Sequence, residues 1–184
     1  CSAATRSRPG TVRTRRRAGA EPLGKVLREV LDLYEELHRV TRELDAAGVA
    51  YALVGGFAVS LHARPRTTDD IDVLIAESSL EPAKAAIAAS GYEARIPPFP
   101  VAGGRLRIQR FLKTVDDEVV LIDALLARET EHTGMLERRV RLESGNGPLW
   151  VVAREDLRAL KRLRGSPQDL ADLAALDEGG SGES

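Results

Sequence analysis

The chain has 184 residues, of which 43 % are hydrophobic, 30 % charged and only 4 % aromatic. That length and apolar share suit one soluble domain with at most a small appendage, and they exclude collagen-like and wholly disordered chains. The formal net charge of −1 conceals a division: residues 1–20 hold six arginines and no acid, which leaves 21 basic residues against 28 acids, a net of −7, in the remainder.

Two further classes drop out. No apolar run approaches the roughly 20 residues that cross a bilayer as a helix, so a membrane-spanning chain is not expected. The single cysteine, Cys1, allows neither an internal disulfide nor a cysteine-based zinc site. Residues 1–20 are Arg-rich with few large apolar side chains, and a disordered tail is expected there. Such an arm can bind nucleic acid, although a solvated leader is the plainer expectation. An opening Cys-Ser is also what a lipoprotein shows after signal removal; a partial or mis-started gene product is the favoured alternative, because nothing else in the chain suits export.

From Glu21 the pattern becomes regular. Leu23, Val26, Leu27, Val30, Leu31, Tyr34, Leu37, Val40 and Leu44 recur at steps of three and four, predicting a long amphipathic helix that stops near Gly48. Val49–Val54 reads as a buried strand, Gly55-Gly56 breaks it, and Phe57–His62 reads as a short helix ended by Pro65. Asp70–Ile75 predicts a second strand, and Ser78 a cap for a helix over Leu80–Ala89 that stops at Gly91. Pro97, Pro98, Pro100, Gly103 and Gly104 predict a loop. Arg105–Lys113 and Glu118–Leu125 then predict a β-hairpin turning at Asp116-Asp117. A short helix, strands at Arg139–Leu142 and Leu149–Val152, and two helices split at Gly165-Ser166-Pro167 follow. The expected organisation is a mixed α/β (α+β) domain over residues 21–176, with a core over about 48–152, a helical pair over 153–176 and a disordered tail over 177–184.

The chemistry is concentrated at residues 53–75. Side chains at i and i+2 of a strand share a face, so Asp70 and Asp72 project together while Ile71 and Val73 enter the core. Adjacent carboxylates repel, and a fold keeps them when a divalent cation such as Mg²⁺ neutralises the pair. A strand followed by Gly-Gly and a helix lets backbone N–H groups approach an anion at the positive helix end. Asp123 is the only polar residue between Val119 and Leu126, where an isolated carboxylate is costly to bury. It is accounted for if it faces the same metals as Asp70 and Asp72. In such a two-metal site one ion activates an attacking hydroxyl and the other holds a triphosphate.

These residues carry a resemblance. Gly-Gly, a short helix, Asp-x-Asp on a strand and a later single Asp on another strand resemble the DNA polymerase beta-type nucleotidyltransferase superfamily. VGGFAVSLHARPRTTDDIDVLI and EDLRALKRLRGSPQDLADLAAL are similar to the AbiEii-type nucleotidyltransferases of type IV toxin–antitoxin systems, over about residues 23–176. The resemblance implies a nucleotidyltransferase fold and transfer of a nucleoside monophosphate from an NTP to an acceptor, with release of pyrophosphate. It implies that Gly55 and Gly56 cradle the β/γ-phosphates, that Asp70 and Asp72 bind two Mg²⁺ ions (Mn²⁺ as alternative), and that Asp123 is a third ligand and a base for the acceptor hydroxyl. Arg66 and Thr68 would contact phosphate oxygens. Lys161, at the margin of an apolar stripe, would bury its stem and reach the triphosphate. Gly56 departs from the superfamily pattern, where many members carry Ser, so backbone donors would replace a hydroxyl.

Plainer readings stand beside these. Gly55-Gly56 could be only a strand-to-helix turn, Asp70 and Asp72 a sheet edge, and Arg66 a surface partner of Asp69. Asp169, three residues after Ser166 with Pro167 at the first helical position, fits a capping box better than a functional acid. His38, His62 and His132 have no ligand spacing, Trp150 suits core packing, and Ser60 lacks a His/Asp partnership. A metal-dependent enzyme and a catalytically silent nucleotide- or partner-binding module are both open; three carboxylates favour the enzyme. A tRNA, a protein hydroxyl and a small molecule such as an aminoglycoside are open as acceptors, and an antitoxin or a second copy as partner. A cytoplasmic setting is expected. The acidic domain disfavours a large RNA acceptor unless the arginine tail assists.

Overall fold

A computed structural model describes residues 23–115 and 118–178. The expectations for residues 1–20, for the Asp116-Asp117 turn and for the tail beyond Glu178 lie outside the described residues. In chain order the elements are α1 (Leu23–Ala46), β1 (Tyr51–Leu53), α2 (Gly55–His62), β2 (Asp70–Ala76), α3 (Leu80–Ala89), β3 (Phe99–Val101), β4 (Leu106–Val115), β5 (Glu118–Ala127), α4 (Thr130–Glu137), β6 (Val140–Ser144), β7 (Gly147–Val151), α5 (Arg154–Arg164) and α6 (Pro167–Glu178).

The seven strands form one mixed sheet in the order β3-β4-β5-β2-β1-β7-β6. Its centre is parallel between β2 and β5 and antiparallel between β1 and β2. The hairpins β4–β5 and β6–β7 extend it on either side, with β7 parallel to β1. Central strands read as near-continuous apolar runs because both faces are covered. Ile71, Val73, Leu74 and Ile75 of β2 are all fully buried. Helix α1 packs on α3, and α2 packs on α5 and α6. The α1 stripe ends in Leu37, Val40 and Leu44, all without solvent exposure. Each such side chain contributes about 1.5–3 kcal/mol by leaving water, so a charge at Leu37 would detach the helix. Among the described residues no helix is long and apolar enough to cross a membrane.

Several elements differ from expectation. The first strand shortens to Tyr51–Leu53, and Gly55 and Gly56 are the first residues of α2 rather than a break before it. Ser78 does not cap α3; a 3-10 turn over Glu77–Ser79 leads into the helix, and Ser79 at the N-cap makes no side-chain cap hydrogen bond. The proline-rich stretch contains β3, antiparallel to β4. It tolerates Pro100 because it is the last strand of the sheet, where one N–H has no neighbour to serve. Helix α6 runs to Glu178, two residues beyond the expected end. Trp150 packs at the core margin, with the Arg139 guanidinium 4.6 Å from its ring centre.

Candidate active site

Strand register brings the carboxylates together. In the parallel pair β2–β5, Asp72 lies opposite Asp123, and in the antiparallel pair β4–β5, Arg110 lies opposite Asp123. Asp72, Asp123 and Arg110 therefore form one rung across three strands, and Asp70 joins the same face two residues earlier on β2. Oxygen atoms of Asp70, Asp72 and Asp123 all lie within 4.8 Å of one another. Asp72 is 8 % and Asp123 4 % exposed. Burial, with Asp70 and Asp123 beside it, pushes the Asp72 carboxyl up to about 7. A hard divalent cation with oxygen ligands fits this set: it would relieve the repulsion that raises Asp72.

The glycines are required by close approach. Gly55 has φ +60°, and a Cβ there would meet the Asp72 carboxylate and stand 2.7 Å from the Asp72 Cβ. Any larger residue would push the rung away from α2. At Gly56 a Cβ would lie 2.7 Å from both the Thr68 Cβ and Arg66 Nη2. A side chain at this position would require the Thr68 and Arg66 side chains to shift. The start of α2 has no side-chain cap hydrogen bond, so its first N–H groups are open to an anion. The loop behind them is pinned by Ser60, whose hydroxyl donates to the Arg66 carbonyl at 3.3 Å and accepts from the Arg66 N–H at 3.2 Å. Thr68 donates its hydroxyl to Asp70 Oδ1 at 3.1 Å, orienting that carboxylate.

A second group of buried charges lies on α5 and α6. Lys161, 3 % exposed, places its ammonium 2.7 Å from Asp172 and 3.2 Å from Asp169. Arg164 donates two 2.7 Å hydrogen bonds to Asp169. Arg66 places its Nε 3.3 Å from Asp172. Asp169 completes the capping box: its carboxylate accepts from the Ser166 N–H, and its own N–H donates to Ser166 Oγ at 3.2 Å. Burial alone would raise the Asp169 carboxyl, but the hydrogen bonds from Arg164 and Ser166 outweigh it and hold it below the usual range.

Both groups border one cleft of about 250 Å³, lined by Gly55, Asp70, Asp72 and Asp123 together with Lys161, Arg164, Asp169 and Arg110. The structure thus collects Gly55, Asp70, Asp72, Asp123 and Lys161, with Gly56, Arg66 and Thr68 immediately behind. Sequence reasoning missed Arg110, whose Nε and Nη2 fork the two oxygens of Asp123 at 2.8 and 2.7 Å. The signal was present: extending the β4–β5 register from its turn sets Arg110 opposite Asp123. It also missed Arg164, whose partner is brought by the capping box of the following helix.

A scan of protein-family models and a search of curated proteins each give no match. Solved structures do match. The candidate nucleotidyltransferase TM1012 of Thermotoga maritima superimposes with a TM-score of 0.56 at 14 % identity, covering 80 % of this chain and 94 % of that one. ANT(2")-Ia, solved with adenylyl-2"-tobramycin, gives 0.55 at 13 % identity over 84 % and 90 % of the two chains. The lincosamide antibiotic adenylyltransferase LnuA, solved with lincomycin, gives 0.51 at 14 % over 78 % and 95 %. The chain has the nucleotidyltransferase fold, a mixed seven-stranded sheet flanked by helices.

Proposed function

We propose that this chain is a metal-dependent nucleotidyltransferase that moves a nucleoside monophosphate from an NTP to the hydroxyl of a small molecule. The observation that carries the reading is the trio of Asp70, Asp72 and Asp123, with oxygens within 4.8 Å of one another, beside the uncapped start of α2. Two Mg²⁺ ions, or Mn²⁺, held by the three carboxylates would polarise the α-phosphate and offset the charge of the departing pyrophosphate. Gly55 and Gly56 offer the N–H groups of the first α2 turn to the β/γ-phosphates, with Arg66 and Thr68 behind them. Lys161 lies on the cleft wall with its ammonium held by Asp172 and Asp169, so it ties α5 to α6 rather than reaching the triphosphate. The acceptor oxygen bonds to the α-phosphorus, the bond from that phosphorus to the bridging oxygen of pyrophosphate breaks, and the hydroxyl proton passes to Asp123. Arg110 occupies both Asp123 oxygens, yet a carboxylate has about four lone-pair sites, so room for a metal and a proton remains.

The small-molecule acceptor is supported by the size of the cleft and by the antibiotic adenylyltransferases that share the fold. A toxin role, with an antitoxin or a second copy completing the site, is supported by the resemblance of residues 54–75 to the AbiEii-type group. A silent binding module is the competing reading, and the Arg110 fork on Asp123 is the observation in its favour. Incubation with α-labelled NTPs, Mg²⁺ and a panel of hydroxyl acceptors separates them. The proposal expects labelled acceptor and pyrophosphate from the wild type and neither from Asp70→Asn. Absence of pyrophosphate with every NTP, together with unchanged NTP affinity in Asp70→Asn, would establish the silent module.

A further inference from the structure

The carboxylate rung continues into an apolar platform. One rung further along the same face, Leu125 lies opposite Ile108, and Ile108 opposite Phe99. In the next rung Leu106 lies opposite Val101. All five side chains line the cleft, and all but Leu106 remain partly open to solvent. The facing wall adds Leu157 and Leu160 of α5. The platform therefore begins at the Asp123–Arg110 pair and runs away from the glycines.

Its position relative to the glycines decides its occupant. An in-line displacement at phosphorus requires the attacking oxygen opposite the leaving group. On the reading proposed above, the leaving pyrophosphate rests at Gly55 and Gly56, on the β1 side of β2. The acceptor must then arrive from the β5–β4–β3 side, over the platform. The charges on that side are already matched. Asp123 is forked by Arg110, and Asp169 is held by Arg164 and Lys161. Free cations, in contrast, would meet the guanidinium of Arg110, which is 39 % exposed and lies 5.7 Å from the centre of the Phe99 ring.

We infer that Phe99, Val101, Leu106, Ile108 and Leu125 form the acceptor subsite, and that it selects an uncharged, hydroxyl-bearing small molecule with an apolar or aromatic face over a polycation. Such a molecule stacks its apolar face on the platform and presents its hydroxyl at Asp123. A polyamine sugar would leave its ammonium groups against apolar carbon and beside Arg110, while Asp123 at the edge of the platform is already paired.

The test is a methyl and amide NMR titration of the full chain with Mg²⁺ and a non-hydrolysable ATP analogue. 4-Nitrophenyl β-D-glucopyranoside serves as the uncharged aromatic probe and tobramycin as the polycation. The inference expects the analogue to shift the Gly55–Phe57 amides, and the glycoside then to shift the Ile108 and Leu125 methyls. It expects the glycoside to bind at least about tenfold more tightly than tobramycin. Ile108→Glu, checked for folding by its amide spectrum, should weaken the glycoside about tenfold and narrow the gap to tobramycin. Tighter binding by tobramycin, or no glycoside binding, overturns the inference. So do Ile108 and Leu125 shifts caused by the ATP analogue alone, since the platform would then hold the nucleobase. If the analogue leaves the Gly55–Phe57 amides unmoved, the nucleotidyltransferase reading itself falls.

Discussion

Two groups of buried charge lie on opposite walls of one cleft, and they are built on opposite principles. On β2 and β5, three carboxylates share a space 4.8 Å across with a single guanidinium, that of Arg110. On α5 and α6, Asp169 and Asp172 are met by Lys161, Arg164 and Arg66. In the second group each carboxylate is met by two cations; its hydrogen bonds tie α5 to α6, and the Arg66–Asp172 ion pair ties α6 to the loop before β2. The first is short of positive charge and raises the Asp72 carboxyl to about 7. Buried charge alone does not mark a ligand site; unmatched buried charge does. The paired cluster reads as scaffold; on the function proposed above, the unpaired one is where a divalent cation would bind.

Substitutions separate the two groups, and the largest effect falls on the unmatched one. Asp72→Asn should reduce nucleotidyl transfer by about 10²-fold or more, read as pyrophosphate release, while raising Tm in the absence of divalent cation. Asp169→Ala should do the reverse. It strands Arg164 and the Ser166 N–H, leaves Lys161 with Asp172 alone, and should cost about 3–5 kcal/mol. Thermal unfolding would register that as a Tm drop of about 10 °C. Intact stability in Asp169→Ala would show that the second cluster is not scaffold. Gly55→Ala tests the seam between α2 and the rung. Its φ of +60° and the contact with Asp72 should cost about 1–3 kcal/mol, with a weakened Mg²⁺ dependence of activity.

A further effect is on the pH dependence of stability, where the two groups carry opposite signs. Asp72 titrates near 3.8 when unfolded and near 7 when folded, so the folded state holds a proton that the unfolded state has lost. Its contribution to metal-free stability falls as pH rises from about 4 to 7 and is constant above that. Asp169 is held below the usual range. Its contribution is complete above the unfolded value and is lost as pH falls through the folded one. Denaturant unfolding from pH 3 to 8 should show Asp72→Asn removing the falling limb and leaving the acid limb in place.

Much of this arrangement was legible in the chain. Alternation in Asp-Ile-Asp-Val put Asp70 and Asp72 on one face by period-two geometry, and the cost of burying a lone Asp123 in an apolar run suggested that it joins them. Gly-Gly read as a backbone approach to an anion, whereas the structure also requires Gly55 for the contact with Asp72. Three prolines hid β3, since a sequence pattern does not reveal which strand will lie at the edge of a sheet. Lys161 read as an arm toward a triphosphate because only the docking of α6 brings Asp172 to within 2.7 Å of it. Arg110 needed the hairpin register to the residue; a slip of one would have turned it to the other face of the sheet.

The central claim is that unmatched charge, and not buried charge as such, makes the site. Calorimetric titration of Mn²⁺ at pH 8 tests it most directly, with the wild type, Asp72→Asn, Asp123→Asn and Asp172→Asn all held at a temperature where circular dichroism shows them folded. The account predicts that the wild type and Asp172→Asn bind Mn²⁺ alike, while Asp72→Asn and Asp123→Asn lose at least about tenfold in affinity. Equal affinity in all four proteins, or loss confined to Asp172→Asn, would contradict it.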